Sequence, residues 1–285
     1  MTAITRVFPR RTKATPTDEL AFVGPPPLHL PEADEVHISV AFTWDKPAAE
    51  HLAKCWGQYY PVKIGGPAYD DAGAAFTPGL YLKPGYTFTS RGCPNKCGFC
   101  LAWRREGPLR LLPITPGYIV IDNNLLACPR PHIEAVLDML SNQRRQAEFA
   151  GGLEAAHVEP WFVKAVTDIG FKRAYFAYDR PAERKPVAEA LRQFTEAMRG
   201  KIKYTHSKLS VYVLVGFAGD TLDQAAERCQ FVKDHSGTPF PMYFEPAGPR
   251  QQKPREWQEF CGRVLHATGW AKQTNPQTAN HGLFG

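Results

Sequence analysis

Residues 86–103 read Tyr-Thr-Phe-Thr-Ser-Arg-Gly-Cys-Pro-Asn-Lys-Cys-Gly-Phe-Cys-Leu-Ala-Trp. Three of the seven cysteines, Cys93, Cys97 and Cys100, stand here at a C-x3-C-x2-C spacing. Three thiolates on one short loop can ligate three irons of a [4Fe–4S] cube and leave the fourth without a protein ligand. An iron left open suits a cluster that binds a small molecule rather than only relaying electrons. The residues just before the loop, 86–90, are aromatic and β-branched and predict a strand. Gly92 then permits a sharp turn into the first thiol. A zinc knuckle or a disulfide-linked loop is the competing reading. Zinc takes four ligands, usually in paired C-x2-C or Cys/His units, and no partner pair follows.

Outward from this loop, strands and helices alternate. Strands are expected at 86–90, 118–122, 147–151, 173–178, 209–216 and 241–245, and helices at 132–142, 160–169, 184–199 and 222–235. Such alternation predicts an α/β fold whose parallel strands are joined by right-handed crossovers. The segment 101–117 holds Gly107, Pro108, Pro113 and Pro116, so any helix after the cysteine loop should be short or irregular.

The cysteine spacing, the aromatic Phe99 before the third cysteine and the position after a first strand resemble the radical S-adenosylmethionine (radical SAM) superfamily. The resemblance covers about residues 86–245. It implies a partial, TIM-like (β/α)6 barrel. It also implies a [4Fe–4S] cluster held by Cys93, Cys97 and Cys100, and S-adenosyl-L-methionine chelated by the open iron. In that family the reduced cluster cleaves this cofactor to a 5′-deoxyadenosyl radical, which abstracts hydrogen from a substrate. An electron donor such as flavodoxin or ferredoxin is the implied partner.

The N-terminal third divides differently. Residues 1–31 carry Arg6, Arg10, Arg11, Lys13 and a proline triplet, and are expected to form an extended arm. Residues 32–83 predict a small Rossmann-like β-α-β lobe. Its helix has Asp45 as the candidate N-cap, Pro47 in the first turn and Ala49, Leu52, Ala53 and Trp56 on one face. This lobe resembles a shortened cobalamin-binding domain of one radical SAM branch. The branch's D-x-H-x-x-G motif is missing, with His37 and His51 in other contexts, so no cobalamin is expected. No G-x-G-x-x-G occurs, so a dinucleotide site has no support. Residues 84–250 should form the barrel and 251–285 an extension, with one helix carrying Trp257, Phe260, Val264 and Leu265, followed by a tail from 272.

In parallel β/α folds, function collects at the carboxyl ends of the strands. The candidates there are Asp122, Asn123 and Asn124, where the family usually has a Gly-Gly-Glu segment that receives the methionine ammonium. Glu154 could bond the ribose or the ammonium, and Asp179 with Arg180 the methionine carboxylate. Gly216 resembles the family's glycine against adenine. Asp220 and Thr221 read as helix caps. Residues 103–106 could grip an anionic substrate or form an ion-paired loop. Cys128 is a weak candidate for a catalytic redox thiol, while Cys55, Cys229 and Cys261 read as core residues.

The chain has 285 residues, 44% hydrophobic and 22% charged, with a net charge of +6. That suits a globular enzyme and permits, without requiring, an anionic partner such as nucleic acid. No run approaches a bilayer's thickness, so no membrane association is expected. An odd number of cysteines, three of them clustered, fits a reducing cytoplasm better than a disulfide frame. The rival functions are a cobalamin-dependent methyltransferase and a non-catalytic iron–sulfur module on nucleic acid. No motif identifies the substrate.

Overall fold

A computed structural model describes residues 2–71, 75–200, 208–246, 248–249 and 251–268. The tail expected from 272 lies outside them. The fold is mixed α/β, with two parallel sheets.

The first sheet holds β1 (Ile4–Phe8), β2 (Ala21–Val23), β3 (Glu35–Ser39) and β4 (Val62–Gly65), in the order β2-β1-β3-β4 with every pairing parallel. The expectation of an extended arm over 1–31 is therefore corrected, since Ile4–Phe8 is an interior strand of this sheet. Arg6 stands in mid-strand, only 8% exposed, and forms an ion pair with Asp18. Helix α1 (Lys46–Trp56) packs Ala49, Leu52 and Trp56 against Val7, Val36 and Ile38, as its apolar spacing requires. Asp45 precedes this helix but its side chain caps nothing. It is buried and takes the Arg10 guanidinium, with Arg10 Nε at 2.6 Å.

The second sheet is larger. Its strands are β5 (Tyr86–Thr87), β8 (Ile119–Val120), β9 (Ala147–Leu153), β10 (Phe171–Ala177), β11 (Leu209–Val215) and β12 (Thr238–Tyr243), all parallel and laid side by side in chain order. The last strand starts earlier than its sequence suggests. Pro239 and Pro241 sit within it, tolerated because β12 is an edge strand. The first candidate strand splits. After Thr87 the chain continues into β6 (Ser90–Arg91), which pairs antiparallel with β7 (Arg110–Leu111). This two-stranded ribbon closes the base of the cysteine loop, which contains a single helical turn, α2 (Ala102–Arg105).

Among the described residues, five helices accompany the larger sheet: α3 (Arg130–Ser141), α4 (Pro160–Ile169), α5 (Arg184–Met198), α6 (Leu222–Asp234) and α7 (Arg255–Ala267). Their apolar faces join one face of the sheet in a single core that includes Phe149, Phe162, Phe176, Leu191 and Phe194. A strand order without reversal sends every right-handed crossover to the same side, which accounts for that one-sided core. The opposite face carries Tyr86, Ile121, Ala150 and Tyr175, with Tyr212 and Phe240 packed against them. Ala14, Phe76 and Leu82 from the N-terminal segment and Leu265 from α7 cover it. No helix among the described residues is long and apolar enough to cross a membrane.

Candidate functional site

The carboxyl ends of the six parallel strands bring together the cysteine loop and most of the polar residues expected around it. The loop is tied down at its start. Gly92 donates its N–H to Asn123 Oδ1 at 3.0 Å, and Cys93 N–H bonds Gly107 C=O at 3.3 Å. Gly92 has φ of +78°, and a Cβ there would lie 2.2 Å from the Pro108 carbonyl oxygen. No other residue fits that turn.

The three thiols differ in their surroundings. Asn124 Nδ2 lies 3.7 Å from Cys93 Sγ as a donor. The Cys100 sulfur accepts the backbone N–H groups of Ala102 and Trp103 at the start of α2. Cys97 offers its carbonyl to Cys100 N–H at 3.1 Å and to Trp103 Nε1 at 3.0 Å. Burial pushes the Cys97 and Cys100 thiols up, and the charge of neighbouring cysteines adds to it, while Arg180 pulls Cys97 the other way. All three therefore lie within electrostatic reach of one another, and none is in a disulfide. Thiols raised in this way ionise when a metal takes them as ligands.

Glu154 follows β9 and is 24% exposed at its side chain. Its Oε2 accepts from Asn95 Nδ2 at 2.9 Å and from Asn124 Nδ2 at 2.6 Å. The carboxylate thus joins the cysteine loop, through Asn95, to the segment that touches Cys93. Gly151 makes this approach possible, because a Cβ on it would fall 2.0 Å from the Asp122 carbonyl oxygen. Asn124 is 4% exposed, and its Oδ1 is buried without a partner. An acceptor left over beside a thiol and a carboxylate suits a ligand with N–H or O–H groups.

Other candidates take different roles. Asp122 is 1% exposed, and its oxygens are filled by Thr89 N–H at 2.7 Å, Thr89 Oγ1 at 2.6 Å and Ser90 Oγ at 2.7 Å. It clamps the strand that leads into the loop, with one donor on Oδ1 and two on Oδ2. Burial pushes its carboxyl up, against the pull of those three donors. Asp179 also turns inward, with Oδ1 accepting Leu214 N–H at 2.8 Å. Its carboxyl is pushed up to about 7, first by burial and then by the charge of Glu183. Arg180 pairs with Glu183 at 2.7 Å while staying within reach of Cys97 and Glu154. Phe99 is half-buried on the turn between Cys97 and Cys100.

Gly216 N–H donates to Asp220 Oδ2 at 2.8 Å, and Gly216 lies against Tyr243 and Trp257. Thr221 caps α6 in a capping box with Gln224. Asp220 does not cap it; its second partner is Arg228 at 2.8 Å. Cys128 is 6% exposed, packed in the helix-side core with its thiol pushed up by burial, so the redox candidate is corrected to a core residue. Cys229 and Cys261 are buried as expected, whereas Cys55 is half-exposed with its sulfur 3.6 Å from His51 Nε2. In the 103–106 segment the ion-paired alternative holds. Glu106 faces Arg91 at 3.4 Å, Arg105 faces Asp70 at 3.6 Å, and Trp103 is spent on the Cys97 carbonyl.

Sequence reasoning passed over Asn95. Asn95 stands inside the cysteine loop, and its side chain joins that loop to Glu154; only the position two residues after Cys93 pointed to it. Among the described residues no three His, Cys, Asp or Glu side chains converge on a point as ligands of one ion do. The thiolates of a cube bind separate irons and stand further apart. No protein-family model matches the chain, and no curated protein matches it.

Proposed function

We propose that the chain is a radical SAM enzyme with a single [4Fe–4S] cluster on Cys93, Cys97 and Cys100. The observation that carries this reading is the joining of the C-x3-C-x2-C loop to Glu154 and Asn124 at the carboxyl end of a parallel sheet. The sequential strand order and one-sided helices favour a partial (β/α)6 barrel, the architecture in which such a loop caps the strand ends.

The donor set fits the cluster in number and chemistry, with three unpaired thiols, two of them receiving N–H donors that offset thiolate charge. It also fits S-adenosylmethionine. The unpartnered Asn124 Oδ1 and the Glu154 carboxylate are acceptors for an ammonium or a ribose hydroxyl, and Arg180 is a cation near Cys97 for a carboxylate. When bound, the cluster and S-adenosylmethionine together supply a 5′-deoxyadenosyl radical for hydrogen abstraction. The chain's own residues orient and enclose. Gly92 and Asn123 fix where the loop starts, Asn95 and Glu154 hold it over the third strand, and Trp103 braces the Cys97 backbone.

The test is anaerobic reconstitution followed by S-adenosylmethionine and dithionite. About four irons per chain and release of 5′-deoxyadenosine are expected. A full iron complement with no 5′-deoxyadenosine, and no spectral change on adding the cofactor, overturns the reading.

A further inference from the structure

Asn124 stands between the Glu154 carboxylate and the first cysteine. Its Nδ2 donates to Glu154 Oε2 at 2.6 Å and lies 3.7 Å from Cys93 Sγ as a donor. A primary amide has two N–H bonds, one for each partner. The reverse orientation would set Oδ1 against a carboxylate oxygen, so Glu154 fixes which end of the amide faces the sulfur. The residue is 4% exposed. Its backbone is tied as well, because its carbonyl accepts Ala127 N–H at 3.3 Å around the turn Leu125–Ala127. Asn123 next to it holds Gly92 N–H at 3.0 Å, which keeps the start of the cysteine loop in register with this donor.

The sulfurs are not equivalent. Cys100 Sγ takes the backbone N–H groups of Ala102 and Trp103, donors that almost any residue supplies. At Cys93 the donor is a side chain, so the residue at position 124 decides whether that bond exists.

We infer that Asn124 raises the reduction potential of the cluster assigned to Cys93, Cys97 and Cys100, through its N–H bond to the Cys93 sulfur; this rests on the cluster assignment made above. Reduction adds one electron, taking a [4Fe–4S] cluster from the 2+ to the 1+ state, and part of the added charge falls on the ligand sulfurs. An N–H bond strengthens as its acceptor becomes more negative, and more so in dry surroundings. Asn124 therefore favours the reduced state over the oxidised one. It also interposes N–H dipoles between the sulfur and the Glu154 carboxylate, whose charge works in the opposite direction. Acting through Cys93, Asn124 is a positioning residue.

The test measures potential in the absence of S-adenosylmethionine. Anaerobically reconstituted wild type, Asn124→Leu and Asn124→Asp are titrated with dithionite through redox mediators, and the reduced cluster is read by electron paramagnetic resonance. Leu matches Asn in size and has no donor. Asp has the same shape, lacks the donor and adds a charge. Asn124→Leu should move the one-electron equilibrium about tenfold toward the oxidised state, a midpoint lower by about 59 mV. Asn124→Asp should lower it at least as far, with iron content equal to wild type in both. A purely structural role would change iron content or thermal midpoint without this ordered shift. Where Asn124→Leu takes up no iron, Asn124→Asp decides alone. Midpoints equal to or above wild type, or failure of both variants to load, overturn the inference. A wild-type chain that takes up no cluster overturns it together with the radical SAM reading. A wild-type cluster that cleaves no S-adenosylmethionine overturns that reading alone, and the lowered midpoints would still support the role of Asn124.

Discussion

Glu154 is the residue on which the candidate site turns. Its carboxylate reaches a loop amide, Asn95, and the amide beside Cys93, Asn124. A carboxylate bonded to an ammonium or hydroxyl in a partly dry site contributes about 1.5–3 kcal/mol. Glu154→Ala should therefore weaken S-adenosylmethionine binding about tenfold to a hundredfold, measured by equilibrium dialysis, with iron content unchanged. Binding at the wild-type level would assign Glu154 to the scaffold. Asp179 gives a second test, on stability. Its folded carboxyl ionises near 7 instead of at the ordinary 3.8, chiefly because it is buried. Between those values the folded state holds one proton more than the unfolded chain, so stability falls as pH rises through the window. Asn keeps the acceptor for Leu214 N–H and cannot ionise. The melting point of Asp179→Asn relative to the cluster-free wild type should thus climb from pH 5 to pH 8. A constant difference would mean that Asp179 ionises freely. At this scale the cysteines were legible because their spacing is local. The clamping role of Asp122 was not legible because its donors, Thr89 and Ser90, lie more than thirty residues away, and nothing in the local sequence announces them.

At the scale of elements, periodicity carried most of the information. The four expected helices of the larger sheet end within two residues of α3, α4, α5 and α6, since each has an apolar stripe with polar flanks. The failures share a cause. Ile4–Phe8 alternates poorly because Arg6 sits in its middle, and a run of basic residues looks like a solvated arm. Ion pairs with Asp18 and Asp45 neutralise Arg6 and Arg10, and both partners are contacts between separate segments. Within α5, Phe194 is fully buried and meets Phe162, Phe171 and Phe176 at ring centroid distances of 6.3, 5.8 and 5.7 Å. It joins α5 to α4 and to both ends of one strand, β10. Phe194→Ala should lower unfolding free energy by about 3–5 kcal/mol in urea titration. A loss under about 1 kcal/mol would mean that the helix layer collapses into the space or is loosely packed.

At the scale of the molecule, the two sheets have separate cores, and segments that connect the strands of the N-terminal sheet and lead out of it pack on the larger one. The face of the larger sheet away from its helices would be open if the chain began at Tyr86. It is closed instead by Ala14, Phe76 and Leu82 against Phe88, Ile121 and Tyr175, and Lys83 N–H bonds Ala14 C=O at 2.8 Å within that cover. Apolar burial between two units makes the unfolding of one expose surface on the other, which couples them. The chain should therefore unfold in one calorimetric transition, with the calorimetric and van't Hoff enthalpies equal. Phe88 is the side chain to perturb. It is 7% exposed, meets Phe76 edge-on at 5.7 Å, and carries the Arg91 guanidinium 3.9 Å above its ring, two residues before the first cysteine. Phe76→Ala and Phe88→Ala should be non-additive by about 1 kcal/mol, the value of an aromatic pair. Phe88→Ala should also broaden or split the transition, because it removes a contact that both units share. Two resolved transitions in the wild type would show that the N-terminal sheet folds by itself. The cover over the larger sheet would then contribute shape to the site without contributing to its stability.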